Sequence, residues 1–526
     1  MTTDQHSILY LSTTIPYVNA APHVGFALEL VQADALARYL RLTGREVFTS
    51  SGTDDHSLKN LRSASAAGEP IRGFLDRHTR EFESLAQLLG VHFDAFVSTS
   101  RDPNHARSVQ ALLSACAANG DLYQRRYRGL YCVGCEQFYR PEELPQDLCP
   151  EHGEPLETIE EDNWFFRLSR YRAELERAIE TDRIRVLPTE RKNEVLSFIQ
   201  RGLQDFSVSR SAERAHGFGL PLPGDSSQVV YVWVDALCNY LTAGAQRPRL
   251  LWRQAARRTH VLGKGVLRFH AVYWPALLAS AGLPWPDELR VHGYLTVDGK
   301  KIGKSAGNGI DPRALIERFG KDALRYYLLK HTPAFKDADF SCERLVSAHD
   351  SELADELGNL ALRTLTLYAR IPTPIPARAL EIGEAEAPLE ECARGLAAQL
   401  EIAYSSHDFS SAGTLVWQLV RATNRYIDRN QPWRLLRSGT REDLAQAARV
   451  LSISVAALRV LSGALDPLVP DLAGALARAT GAERSSRALL DTSLLGHLSA
   501  PVPKQNPTPL VPRLRERPAR APRRVE

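Results

Sequence analysis

Two short clusters in this 526-residue chain carry residue types suited to phosphate chemistry. The first is Pro22-His23-Val24-Gly25. It follows an apolar run over residues 8–15 that reads as a buried strand, and it precedes Leu30, Ala33, Ala37 and Leu40 at helical spacing. The pattern predicts a strand-to-helix turn at His23. Exposed N–H groups at a helix start attract phosphate, and Gly25 lets a nucleotide approach the backbone. The second cluster, KKIGKSAGN over residues 300–308, is a loop with three lysines and two glycines. Lysines in such a loop can neutralise a polyphosphate as charge moves in a transition state. Either cluster alone also fits an ordinary turn; in this order and this far apart they point to one site.

A third cluster, Gly52-Thr53-Asp54-Asp55-His56, ends a short strand over residues 47–51. Polar residues at the carboxyl end of a parallel strand are where open α/β sheets bind ligand, although a helix N-cap would also place an aspartate there. Cys132-x-x-Cys135 and Cys149-x-x-His152 supply two short-spaced pairs of soft ligands. Four such ligands make a closed tetrahedral site, which predicts structural Zn2+. The other cysteines have no metal spacing and read as small buried apolar residues.

The elements that must position these groups change character along the chain. Residues 8–116 alternate between strand and helix. An apolar VVYVWV run leads into Trp233, Asp235, Ala236, Leu237 and Tyr240, and reads as a return to the sheet. Such an aromatic cluster also suits a plain core. Asp311-Pro312 is a helix start, with Asp as cap. From about 346 the period is helical throughout: Leu353, Leu357, Leu360, Ala361, Leu367 and Tyr368 share a face, which Thr364 interrupts without breaking the period. Residues 501–526 are rich in Pro and Arg and read as a disordered basic tail. The net charge of +3 does not force nucleic-acid binding. There is no apolar run of 18 residues and no signal-peptide pattern at MTTDQHS, so no membrane association and a cytoplasmic location are expected. Methionine occurs only at position 1.

PHVGF resembles the first signature of class I aminoacyl-tRNA synthetases, and KIGKS the second. TTIPYVNAAPHVG, GTDDH, GLYCVGCE, VYVWVDALCNYLTA and FHAVYWPALLASAGLP are similar to the methionyl-tRNA synthetase family over roughly residues 8–475. The resemblance implies an α/β fold: a Rossmann-like nucleotide-binding domain split by a zinc-knuckle connective domain and followed by an all-α bundle. The implied divisions are 1–116 and 226–308 for the two catalytic halves, 117–225 for the insertion and 309–345 for a stem-contact region. An anticodon-binding-type bundle would span 346–475, and a tail 476–526. The implied chemistry is ATP-dependent formation of an aminoacyl-adenylate and transfer to tRNA, with Mg2+ accompanying ATP. Pro22, His23, Gly25, Lys301, Lys304 and Ser305 would hold ATP, with His23 and the two lysines catalytic. Asp54 would hold the amino group. Ile15, Tyr17, Trp233, Ala236, Leu237, Tyr240, Val266 and His270 would enclose a methionine side chain. Asn359, Arg363 and Trp433 would read the anticodon of a methionine tRNA.

Three positions depart from the family pattern. Phe26 stands for the second histidine of the first signature, Ser57 for a glycine, and Gly265 for an aspartate whose expected ionic partner is Arg210. They leave room for a second reading: a tRNA-independent paralogue that esterifies an activated amino acid to a small-molecule acceptor such as an N-hydroxylated amine, with a separate metal-dependent partner enzyme. A third reading is a non-catalytic tRNA-binding protein.

Overall fold

A computed structural model describes residues 8–132, 137–139, 144, 148–149, 155–245, 251–297, 299–302, 309–372, 381–482, 491–498, 502–503 and 508–514. Its centre is a six-stranded parallel sheet. The strands run in the order Ala95–Ser98, Val47–Thr53, Leu9–Ser12, Arg257–Gly263, Glu288–His292 and Arg185–Leu187. Leu9 pairs with Val47 on one side and Arg257 on the other. Successive residues point to opposite faces. Leu11, Val47 and Val261 therefore meet the layer containing the helix Val24–Leu42, while Tyr10, Phe48 and Leu262 meet the layer containing His105–Ala118 and Trp274–Ser280. Both faces are covered, which explains why these strands read as apolar runs.

Two spans differ from the sequence reading. Arg185–Leu187 lies inside the span assigned to the insertion, yet it forms an edge of the main sheet. Three residues are too short for a periodic signal. VVYVWV does not return to that sheet. Its first two residues end the strand Asp225–Val230 of a small antiparallel sheet, and Val232–Leu237 is a helix. A short apolar run cannot be assigned by periodicity alone. The rest of the insertion carries a four-stranded antiparallel sheet built on Leu122–Cys132 and Glu157–Phe166.

Asp311 caps the helix Pro312–Phe319 by accepting from the Arg313 N–H at 2.8 Å. A π-helical stretch, His349–Gly358, then runs into Asn359–Tyr368 and opens the bundle with Ala387–Ser405, Phe409–Asn430, Arg441–Leu465 and Pro470–Thr480. By length and composition Arg441–Leu465 could cross a membrane, but 89% of its most apolar window is buried in the bundle. The apolar cluster that includes Leu11 continues through Leu329 to Leu461, so sheet and bundle share one core. The described part of the tail is not bare coil. Leu494 and Leu514 are buried, Arg513 pairs with Asp355, and the Leu514 N–H donates to Asp350. A few leucines among prolines and arginines suffice when a docking face is available.

Candidate active site

Connections leave the adjacent strands Leu9–Ser12 and Arg257–Gly263 toward opposite halves of the sheet. The crevice beyond their carboxyl ends is the topological switch point, where such sheets bind ligand. His23 is the N-cap of the helix that follows the first strand. Its Nδ1 accepts from the Gly25 N–H at 3.0 Å, and a Cβ on residue 25 would lie 2.8 Å from His23 Cε1. Glycine there is what lets the ring fold over the helix start. Pro22 is buried behind it. The Val24 N–H donates to the Ile310 carbonyl at 3.1 Å. This bond joins the first cluster to the chain just beyond the lysine loop.

Lys300–Lys301 pairs with Leu295–Val297, and Asp339 clamps this hairpin by accepting from Thr296 Oγ1 at 2.7 Å and the Gly299 N–H at 3.0 Å. Lys304 and Ser305 lie outside the described residues. The crevice floor contains a strut that the sequence reading missed. Glu29 accepts from the backbone and hydroxyl of Thr14 at 2.8 and 2.6 Å and lies 2.9 Å from His292 Nε2. The available signal was a glutamate on an otherwise apolar helix face, flanked by Leu28 and Leu30.

Tyr17 and Asp54 form an isolated parallel bridge, and the Asp54 N–H donates to the Pro16 carbonyl at 2.9 Å. The helix Leu58–Ala66 is capped by Ser57, not Asp54: Ser57 Oγ accepts from the Lys59 N–H at 3.0 Å. Trp233 stacks on Phe269 at 3.7 Å between centroids and 7° between planes, and meets Tyr17 edge-on at 6.3 Å. Ala236 and Leu237 are buried, while Ile15 and Val266 are half-buried. His270 Nδ1 lies 2.9 Å from the Val266 carbonyl and therefore carries the proton. Its Nε2 accepts from the Tyr240 hydroxyl at 2.8 Å. Burial pulls the His270 pKa down to about 4 and pushes the Tyr240 phenol well up, so both are neutral near pH 7. The result is an aromatic box with two neutral polar groups, which suits an uncharged side chain and favours sulfur–aromatic contact.

Asp235 holds the box to the Asp54 loop. Its carboxylate oxygens lie 2.6 Å from His56 Nδ1 and 2.6 Å from His105 Nε2. Burial alone would raise its pKa, but the two imidazoles hold it well below the carboxylate range. Phe26 meets Phe82 edge-on at 5.0 Å in an apolar cluster with Val18 and Leu75. Arg210 was expected to lose its partner; it is buried, donates to the Ser209 carbonyl at 2.9 Å and stacks over Tyr231 at 4.0 Å.

Cys132 and Cys149 come together as buried residues in a small cluster with Tyr139 and Leu144. Cys135 and His152 lie outside the described residues, and no group of three metal-type ligands occurs among the described ones. Two buried thiols drawn from separate short-spaced pairs fit a soft metal. In the bundle, Arg363 donates to Asp428 at 2.7 Å and Asn424 at 2.9 Å, and its guanidinium lies 6.0 Å from the Trp433 ring. Asn359 is exposed one turn earlier on the same helix.

The family described as tRNA synthetases class I (M) matches residues 9–158 and 141–365. A methionine--tRNA ligase from Nostoc is 38% identical over 474 residues, with 88% of each chain covered. One from Streptomyces coelicolor is 36% identical over 528 residues, with 97% of each covered. Mycobacterium tuberculosis methionyl-tRNA synthetase, solved in complex with methionyl-adenylate, superposes with a TM-score of 0.89 at 36% identity, covering 96% of this chain and 100% of that one.

Proposed function

Because this chain belongs to the methionyl class I tRNA synthetases, we propose that its crevice activates methionine with ATP and passes it to tRNA as follows. A carboxylate oxygen of methionine attacks the α-phosphorus of ATP. The bond to pyrophosphate breaks, and methionyl-adenylate remains. A terminal ribose hydroxyl of tRNA then attacks the acyl carbon, and AMP leaves. The protein contributes position and charge.

Asp54 takes the ammonium group. Tyr17, Ile15, Trp233, Ala236, Leu237, Val266 and the neutral Tyr240–His270 pair enclose the thioether. Pro22, His23 and Gly25 set the phosphates at the helix start. Lys301, Lys304 and Ser305 meet the departing pyrophosphate, with Mg2+ accompanying ATP. The observation that supports this division is the Val24–Ile310 hydrogen bond, which ties the helix start behind His23 to the chain just beyond the lysine loop. Cys132, Cys135, Cys149 and His152 would hold Zn2+, which cross-links the insertion and takes no part in the reaction; metal analysis finding none would remove this part. The tRNA is a methionine tRNA read by Asn359, Arg363 and Trp433, and the working place is the cytoplasm.

The small-molecule acceptor reading rested on Phe26, Ser57 and Gly265. Phe26 and Ser57 have structural occupations, and the relatives are named tRNA ligases. The test is ATP–pyrophosphate exchange over all twenty amino acids. Methionine-dependent exchange is expected, together with a drop of about 100-fold or more in Lys304→Ala. Exchange with another amino acid, or an unchanged Lys304→Ala, would overturn the assignment.

A further inference from the structure

Gly265 lies just past the carboxyl end of the strand Arg257–Gly263, at the switch-point crevice. A Cβ built on it would stand 2.2 Å from the Tyr294 hydroxyl, with the Tyr294 Cζ next at 3.6 Å. The space that a side chain at 265 would take is thus held by a hydroxyl from the connection that follows the neighbouring strand Glu288–His292. Gly263 is also close: its Cβ would lie 3.7 Å from Tyr294 Cε1 and 3.4 Å from His292 Cε1. Tyr294 is fixed from two sides. Its N–H donates to Asp337 Oδ1 at 2.9 Å, and Lys264 Nζ, 2.7 Å from Asp337 Oδ2, lies 4.5 Å from its ring centroid.

The order of groups along the reactant matches the order of strands across the crevice. Asp54 ends the strand Val47–Thr53, two strands away from Arg257–Gly263. Two strand steps are about 10 Å. In an aminoacyl-adenylate the ammonium, carbonyl and phosphate are followed by the sugar, about eight bonds from the nitrogen, a comparable reach at ordinary bond lengths. With the ammonium at Asp54 and the phosphate at the helix start of Val24, the sugar falls over Gly263–Gly265.

We propose that the Tyr294 hydroxyl, set in the gap over Gly265, hydrogen-bonds a ribose hydroxyl of the nucleotide and makes Tyr294 a binding residue for the ribose of ATP. The proposal rests on the crevice being the adenylate site. Tyr294→Phe removes one oxygen and leaves the ring. Its KM for ATP and its dissociation constant for ATP, measured by equilibrium dialysis without turnover, should each rise about tenfold. The KM for methionine should stay within twofold and the melting temperature should not change. Wild type should bind 2′-deoxy-ATP or 3′-deoxy-ATP, whichever lacks the partner hydroxyl, about tenfold more weakly than ATP, and Tyr294→Phe should bind that analogue no more weakly still. Gly265→Ala, which must push the hydroxyl aside, should give the same ATP-specific loss, and the double variant should add nothing. Unchanged ATP binding in Tyr294→Phe, an equal loss with ATP and both analogues, or a loss in both substrates with a lowered melting temperature would each overturn the proposal. Wild type that binds ATP but exchanges no pyrophosphate would instead overturn the functional reading, and the binding comparison would still decide this one.

Discussion

His270 donates through Nδ1 to a main-chain carbonyl, so its other nitrogen faces Tyr240 as an acceptor, and neither group offers a charge to the box they line. Neutrality here is selective in itself, because a charged side chain would be desolvated without a counter-ion. Single positions around the box reward the same kind of reading. Ser57 is a helix cap, and its removal has a definite cost. Ser57→Ala should lower stability by about 1 kcal/mol and Ser57→Gly by only a few tenths, read from urea midpoints, with pyrophosphate exchange nearly unchanged. A large loss of exchange in Ser57→Ala at unchanged stability would give the hydroxyl a role in substrate binding instead.

Among the elements, the short helix Val232–Leu237 matters most, because it carries Trp233 into the box and Asp235 into the two histidines. His56 is pulled down by burial but raised overall by Asp235, with Asp55 adding to it; the Phe218 ring faces it from the other side. A raised histidine stabilises the fold fully below its ordinary value of about 6.5 and loses that contribution as pH climbs through the raised one. The depressed Asp235 acts in the opposite direction: its contribution is present above about pH 4 and disappears only as acid reaches the lowered value. The clamp is therefore whole between about pH 4 and 6.5 and weakens as pH rises from there through the raised histidine value. Asp235→Asn should cost about 3 kcal/mol or more, flatten the fall in melting temperature above neutral pH, and raise the KM for methionine more than that for ATP. A variant whose pH profile parallels wild type would show that His56 draws its charge from elsewhere.

At this scale it is also clear what the chain's letters reveal. The strand-to-helix turn at His23 and the cap at Asp311 follow from local patterns. The Asp235 clamp and the Glu29 strut do not, because their partners lie far away in sequence and a lone buried acid looks like any other. The VVYVWV break escaped for a different reason: valines serve short buried strands and short buried helices equally well.

Over the whole molecule, the bundle is bolted to the sheet by a buried cation. Arg325 pairs with Asp34 at 2.7 Å and donates to the carbonyls of Leu89 and Pro467 at 3.2 and 2.9 Å, joining the helix behind the crevice to the end of Arg441–Leu465. Arg363 and Trp433 sit in the same bundle, remote in sequence from the reacting groups. Trp433→Ala should lower kcat/KM for tRNA charging about 10- to 100-fold, the worth of one stacked base, while exchange with methionine stays at the wild-type rate. Equal losses in both assays would mean that Trp433 supports the fold, not the tRNA.

The central strand of the sheet has a further consequence, during synthesis on the ribosome. Leu9–Ser12 pairs on one side with Val47–Thr53, which is translated soon after it, but on the other with Arg257–Gly263. At 5–20 residues per second, about 250 residues take roughly 12 to 50 seconds to arrive. For that interval the strand presents an open edge of unsatisfied N–H and C=O groups to every other nascent chain nearby. The strand at the middle of the sheet is thus also one that the growing polypeptide must shield until its second neighbour is made.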